Sequence, residues 1–365
     1  MNLQPLPSRA RDQQVPARPL SAHFDLPNHL KLRRVALPLV QSPSKDLRSQ
    51  PACAANPRQS AGRGGSANGV RTSPPLLAAP APLALWHLCS FDAPTVAVVW
   101  AFAFAWAAGV QLRLSTPVLL ALAAWSVYIG DRLLDARAGL RSPDWRQLPA
   151  HRQLQDRHYF HWRRRYILAP LAACAALAAA CIALASMPRT ARVPDSFLTA
   201  AALAYFSGVH SHRRLPRPLP RLFTKELLVG VIFTAACALP AYLRLRGRGG
   251  ALWAVVVPAI YFAALAWLNC HAIAHWERAD AWPHPRAAGR ALRVDRLGTI
   301  LGLAGATLAL ALFAGHPRPS ALLAAGAASA LLLVVLDRSR GRLTPLALRA
   351  LADLVLLTPI FFLPR

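Results

Sequence analysis

The chain has 365 residues, 55% hydrophobic and only 16% charged, with a formal net charge of +27. Soluble proteins carry about 25% charged residues, so this deficit, with a mean hydropathy of +0.32, excludes an ordinary water-soluble domain. The arginines fall mostly between apolar runs, which assigns them to loops and anionic headgroups and argues against nucleic acid as a partner.

Residues 1–82 are rich in Pro, Arg, Ser, Gln and Ala, in segments such as QSPSKDLRSQ and RQSAGRGGSANG. They have no period of 3.6 or 2 and too little apolar matter for a core, so a disordered basic leader is expected there. A secretory signal is not indicated, because no single apolar core follows the first basic residues. Residues 83–365 are expected to form one membrane domain.

A helix crossing about 30 Å of hydrocarbon needs about 20 apolar residues. Nine stretches come close: 93–112, 116–130, 166–187, 196–210, 226–243, 251–270, 297–315, 319–336 and 344–363. The expected fold class is therefore all-α, a polytopic membrane protein with about nine transmembrane helices. Cys174, Cys181 and Cys237 lie inside these runs without zinc-site or disulfide spacing, and suit small packing positions. The loops after the second, fourth, sixth and eighth stretches hold most of the basic charge, in RHYFHWRRR, SHRRLPRPLPR, RAAGRALRVDR and DRSRGR. By the positive-inside rule they face the cytoplasm, which puts the N-terminus inside and makes the expected location the cytoplasmic (inner) membrane. RLRGRGG, at 244–250, is the exception.

Only 15 residues are acidic, and a carboxylate beside hydrocarbon is costly unless paired, hydrated or metal-bound. The second stretch ends in VYIGDRLLDARAG, where Asp131 and Asp135 are four apart and so share a helix face. Such a pair suits a hard cation that also grips a phosphate, and Arg132 and Arg137 could hold phosphate oxygens. Equally, the two aspartates could pair with Arg132, Arg137 or Arg141 at a helix end. Between the fourth and fifth stretches stand Tyr205, Lys225 and Glu226; snorkelling accounts for Lys225 and the helix dipole for Glu226. The sixth stretch ends in LNCHAIAHWERAD, with His271 and His275 four apart and Glu277 and Asp280 close by. The two histidines could bind zinc, although no third ligand is fixed by spacing; an interfacial turn anchored by Trp276 is the simpler account. The helix centres look almost free of charge, which argues against a transporter or channel.

Nine helices with acidic segments after the second and sixth resemble the UbiA-type intramembrane prenyltransferases, relatives of 4-hydroxybenzoate polyprenyltransferase. The likeness covers about 90–365. Laid on VYIGDRLLD, that family's NDxxDxxxD motif puts its second and third aspartates on Asp131 and Asp135, with Val127 and Tyr128 at the leading Asn-Asp pair. Its DxxxD segment falls on 269–280, where this chain has Asn269, His271, His275, Glu277 and Asp280. The resemblance implies a UbiA-like bundle and Mg²⁺ held by Asp131, Asp135, Glu277 and Asp280, which would also be the catalytic set. It further implies diphosphate contacts from Arg132, Arg137, Lys225, Tyr128, Tyr205 and Asn269. The expected substrates are a polyprenyl diphosphate and an aromatic or other lipophilic acceptor in membrane lipid. The alternative is a non-catalytic relative that binds an isoprenoid or serves as an accessory membrane protein.

Overall fold

The computed structural model describes residues 77–141, 156–210, 225–247, 251–281 and 293–363, all within the unit Val70–Arg365. Residues 1–76 and the basic loops at 142–155, 211–224 and 282–292 lie outside the described residues; the end of the expected leader, 77–82, is described and includes the start of a helix.

The described chain is helical throughout, with one isolated bridge between Leu77 and Leu343. In order the helices are α1 (Ala81–Leu88), α2 (Asp92–Ala107), α3 (Ser115–Arg141), α4 (Asp156–Arg163), α5 (Arg165–Ser186) and α6 (Arg189–His210). There follow α7 (Lys225–Arg246), α8 (Trp253–Ala281), α9 (Val294–Phe313), α10 (Pro317–Ser339) and α11 (Pro345–Leu354), and α11 runs into a 3₁₀ turn over Val355–Phe361. Among the described residues six helices are long and apolar enough to cross a membrane: α3, α5, α7, α8, α9 and α10. A seventh crossing is added if α1 and α2, which meet at 88°, count as one broken span. The chain is thus a polytopic, membrane-integral helical protein. Exposed side chains such as Ile167, Leu177 and Leu184 on α5 and Leu303 and Leu310 on α9 suit contact with lipid.

Three of the nine expected stretches are not among the six: the first is α2 of the bent pair, and two others take other forms. Helix α6 opens with Arg189, Arg192 and Asp195 and is not among the six. The last stretch divides into α11 and the 3₁₀ turn, which contains Pro359. Proline has no N–H to return to the preceding turn, so side chains take up the freed carbonyls. Ser329 donates to the Val355 carbonyl at 2.7 Å, and Trp100 Nε1 donates to Leu356 O at 2.8 Å. Irregular backbone at membrane depth persists where protein groups satisfy it in this way.

The core lies around α2. The rings of Trp100 and Phe262 stack with centroids 3.7 Å apart, and Phe104 packs on Phe262 edge to face. Small residues allow the close approach of neighbouring helices: a Cβ on Gly230 would stand 2.9 Å from the backbone nitrogen of Trp267, and one on Gly305 would meet the Tyr261 hydroxyl at 2.5 Å.

Short turns join α2 to α3, α7 to α8, and α9 to α10, so these helices alternate in direction. The start of α2 and α7, the ends of α3, α6, α8 and α10, and helices α4 and α11 therefore meet at one end of the bundle. Most of the buried charged side chains among the described residues gather there.

Candidate functional site

The innermost polar group forms at the corner between α1 and α2. Ser90 takes a left-handed conformation (φ 58°), and that turn sets His87, near the end of α1, beside Asp92, the first residue of α2. His87 Nδ1 lies 2.7 Å from Asp92 Oδ2 and 3.6 Å from Oδ2 of Asp353 on α11. Arg132 of α3 reaches Asp92 Oδ2 at 3.4 Å, and Asn269 Nδ2 of α8 donates to Asp353 Oδ1 at 3.0 Å. The backbone N–H of Ala93 donates to Asp92 Oδ1 at 2.9 Å. His87, Asp92, Arg132, Asn269 and Asp353 are all buried. Burying charge in an apolar bundle is tolerable only with such mutual pairing.

Next to it lies a basic layer. Arg157 of α4 pairs with Glu277 of α8 at 3.5 Å, and Arg349 of α11 pairs with the same Glu277 oxygen. Arg132, Arg157 and Arg349, from three helices, are within electrostatic reach of one another. Nε and Nη1 of Arg132 and Nε of Arg157 are buried without a hydrogen-bond partner. The Arg132 guanidinium also stands 5.1 Å from the centre of the Tyr128 ring, within cation–π range.

Helix α4 carries two histidines into this layer. His161 is fully buried; a carbonyl can only accept, so its Nδ1–H donates to Arg157 O at 2.7 Å. Its Nε2 therefore accepts from the Ser90 hydroxyl at 3.2 Å. Burial, reinforced by the charge of Arg132 and Arg157, pushes His161 down to about 4, and burial beside Arg157 and Arg349 does the same for His158. Both imidazoles are thus neutral in the folded protein, with an ordinary value of 6.5 in the unfolded chain. Between about 4 and 6.5 the unfolded chain binds more protons. Their contribution to stability is complete above about pH 6.5 and is lost as the pH falls toward 4. Thermal melting in detergent is expected to show a falling midpoint between pH 7 and 5, with a shallower fall in the His158→Gln/His161→Gln double variant.

The residues singled out by sequence distribute as follows. Asp131 and Asp135 are partly buried on α3, and Arg137 is exposed. The Tyr205 hydroxyl, buried and without a partner, is within electrostatic reach of Asp131, Asp135, Glu226 and Cys270, so the ends of α3, α6 and α8 and the start of α7 do converge. Arg157 is likewise within reach of Asp135, Tyr128 and Glu277. Glu277 carries two arginines, and Asn269 orients Asp353. His271 and His275 stack with ring centres 6.5 Å apart. The side chains of Lys225 and Asp280 lie outside the described residues.

His87, Asp92, Arg349 and Asp353 were not read from the sequence. Asp92 sits one residue before the first apolar stretch, and Arg349 and Asp353 lie within the last, so the expectation of helix centres almost free of charge does not hold at that position. The available signal was the rarity of acids: an aspartate in or beside an apolar run marks a site by its cost.

Between α6, α7 and α8, toward the other end of the bundle, runs an open groove of about 510 Å³ lined by Phe197, Leu198, Leu239, Tyr242, Val256 and Ile260 among others. Its lining is almost wholly apolar.

Comparison of the chain with protein-family models, with curated proteins and with solved structures found no match.

Proposed function

We propose that the protein binds a polyprenyl diphosphate at its basic end and transfers the prenyl group to an aromatic or other lipophilic acceptor, as a divergent UbiA-like enzyme with about nine crossings. The observation that carries this reading is the set of three arginines from α3, α4 and α11 within electrostatic reach of one another, two of them sharing the half-buried Glu277, with guanidinium nitrogens on Arg132 and Arg157 left without partners. Buried N–H donors without acceptors cost free energy, and a diphosphate supplies both the acceptors and the charge. Planar guanidinium groups suit phosphate oxygens in a way that surface lysines do not.

The roles follow from position. Arg132 and Arg157 bind and orient the diphosphate, and they stabilise charge that develops on it as the prenyl carbon departs. Arg349 sets the local field through Glu277. The magnesium implied by the resemblance fits Asp131 and Asp135, an oxygen-only pair at helical spacing whose α3 face turns toward Tyr205 and Glu226. When bound there, it would neutralise diphosphate charge. Glu277 fits that ion poorly, because its carboxylate is already committed to two arginines. Nine residues, about 14 Å of helix, separate Ile260 in the apolar groove from Asn269, so a prenyl tail of several units could run from the basic end toward the groove. In this orientation the basic end faces the cytoplasm, with the protein in the cytoplasmic membrane and its N-terminus inside.

The test is binding and turnover by the full chain in lipid nanodiscs, with a labelled polyprenyl diphosphate, aromatic acceptors and Mg²⁺. Binding of the diphosphate but not of the matching polyprenol is expected, weakened at least about tenfold in Arg157→Gln. Prenylated product that disappears in Asp131→Asn would establish transfer. Tight binding without product from any acceptor would favour the non-catalytic alternative, and equal binding of polyprenol and diphosphate would overturn the phosphate site.

A further inference from the structure

We propose that His87, Asp92 and Asp353 form a site for a divalent transition cation of the zinc class, bound by one imidazole nitrogen and two carboxylate oxygens. The proposal does not rest on prenyl transfer and concerns different residues from the magnesium pair on α3.

Geometry is the first ground. One ligand atom from each residue lies within 4.8 Å of the other two, the only such group of His, Cys, Asp or Glu among the described residues. A tetrahedral cation with bonds of about 2.0–2.1 Å needs its ligands about 3.3–3.4 Å apart. The separations from His87 Nδ1, 2.7 and 3.6 Å, straddle that value. Small side-chain adjustments would accommodate the ion with no change in the path of α1, α2 or α11.

The surroundings are the second ground. Each carboxylate is already oriented through its other oxygen: Ala93 N–H holds Asp92 Oδ1, and Asn269 holds Asp353 Oδ1. Both Oδ2 atoms are thereby turned toward His87, the outer arrangement that metal ligands commonly need. The Asn269 oxygen is buried and has no partner, and it stands at the edge of the group, where a fourth ligand or a bound water would find it. His87 is 2% exposed, Asp92 0% and Asp353 8%, so water competes poorly with protein ligands.

Charge and ligand type select the metal. Two carboxylates match the charge of a divalent ion, and Arg132, which lies 3.4 Å from the same Asp92 Oδ2, would share that oxygen with the metal. An imidazole in a three-ligand set disfavours magnesium and calcium, which take oxygen, and suits zinc or its neighbours. A bound ion would pin the corner between α1 and α2 to α11 and so hold the first and last described helices together.

The experiment uses the full chain, purified in detergent without a polyhistidine tag, stripped with chelator and titrated with Co²⁺. Wild type is expected to bind about one equivalent with visible d–d absorption, displaced by Zn²⁺. Affinity should fall at least about tenfold in Asp353→Asn and in His87→Gln and should be unchanged in Asp131→Asn, whatever that variant does to prenyl transfer. If His87→Gln does not fold, X-ray absorption of the zinc-loaded wild type decides, through the presence of an imidazole shell. No cobalt band in folded wild type, no imidazole scattering, or undiminished binding in folded Asp353→Asn would each overturn the site.

Discussion

Asp92→Asn is expected to lower the stability of the protein by about 3–5 kcal/mol, the usual result of removing one partner from a buried charge group. The side chain is fully buried and faces two cationic or potentially cationic partners, His87 at 2.7 Å and Arg132 at 3.4 Å. Asparagine keeps the shape and can still accept from Ala93, so the loss isolates charge from packing. It removes the carboxylate to which buried Arg132 now hydrogen-bonds, in surroundings where hydration cannot compensate. Replacing both members, as in Asp92→Leu/Arg132→Leu, removes the unpaired charge as well as the pair and should recover most of the loss. Thermal melting or reversible unfolding in mixed micelles measures both. An Asp92→Asn variant within about 0.5 kcal/mol of the parent would refute the view that this group is a charge-balanced unit.

The same group marks where sequence reading succeeds and where it stops. Long apolar runs announce the membrane class because the bilayer imposes a length and a composition on every crossing, and α3, α5, α7, α8, α9 and α10 follow from that alone. Asp131, Asp135 and Glu277 were visible because acids are scarce and their spacing obeys the helical period. The corner at Ser90 was not visible: no glycine or proline announces it, and a serine with φ 58° owes its conformation to the packing around it. With that corner hidden, His87 and Asp92 read only as the residues ahead of the first apolar stretch. Asp353 was hidden for the opposite reason, since its apolar neighbours made 344–363 look like one more crossing. Its partners His87 and Asn269 are far away in sequence, and pairings of that kind are set by tertiary structure. The breakdown of the last stretch into α11 and a 3₁₀ turn has a legible cause in Pro359, but the donation to the freed carbonyls by Ser329 and Trp100 from other helices has none.

Glu277→Gln separates the two roles available to that residue, and it does so by the sign of the effect. Were Glu277 a magnesium ligand, as the resemblance implies, its loss would weaken metal-dependent diphosphate binding. Its observed partners are instead Arg157 and Arg349, and it is the acid nearest their buried guanidinium groups. Removing its charge should therefore cost about 1–3 kcal/mol of folding stability, because Arg349 stays buried with a weaker acceptor. It should also tighten diphosphate binding, since the incoming anion no longer competes with a carboxylate for the same two cations. At an effective dielectric of about 20, a unit charge removed from within several ångströms of the ligand is worth roughly 1–2 kcal/mol after screening, about tenfold in affinity. Isothermal titration of a polyprenyl diphosphate, with and without Mg²⁺, reads the affinity, and thermal melting reads the stability. Tighter binding in a less stable protein would mark Glu277 as the internal counter-ion of an anion site. Weaker binding that depends on Mg²⁺ would restore it to the metal and leave the arginines as its supports.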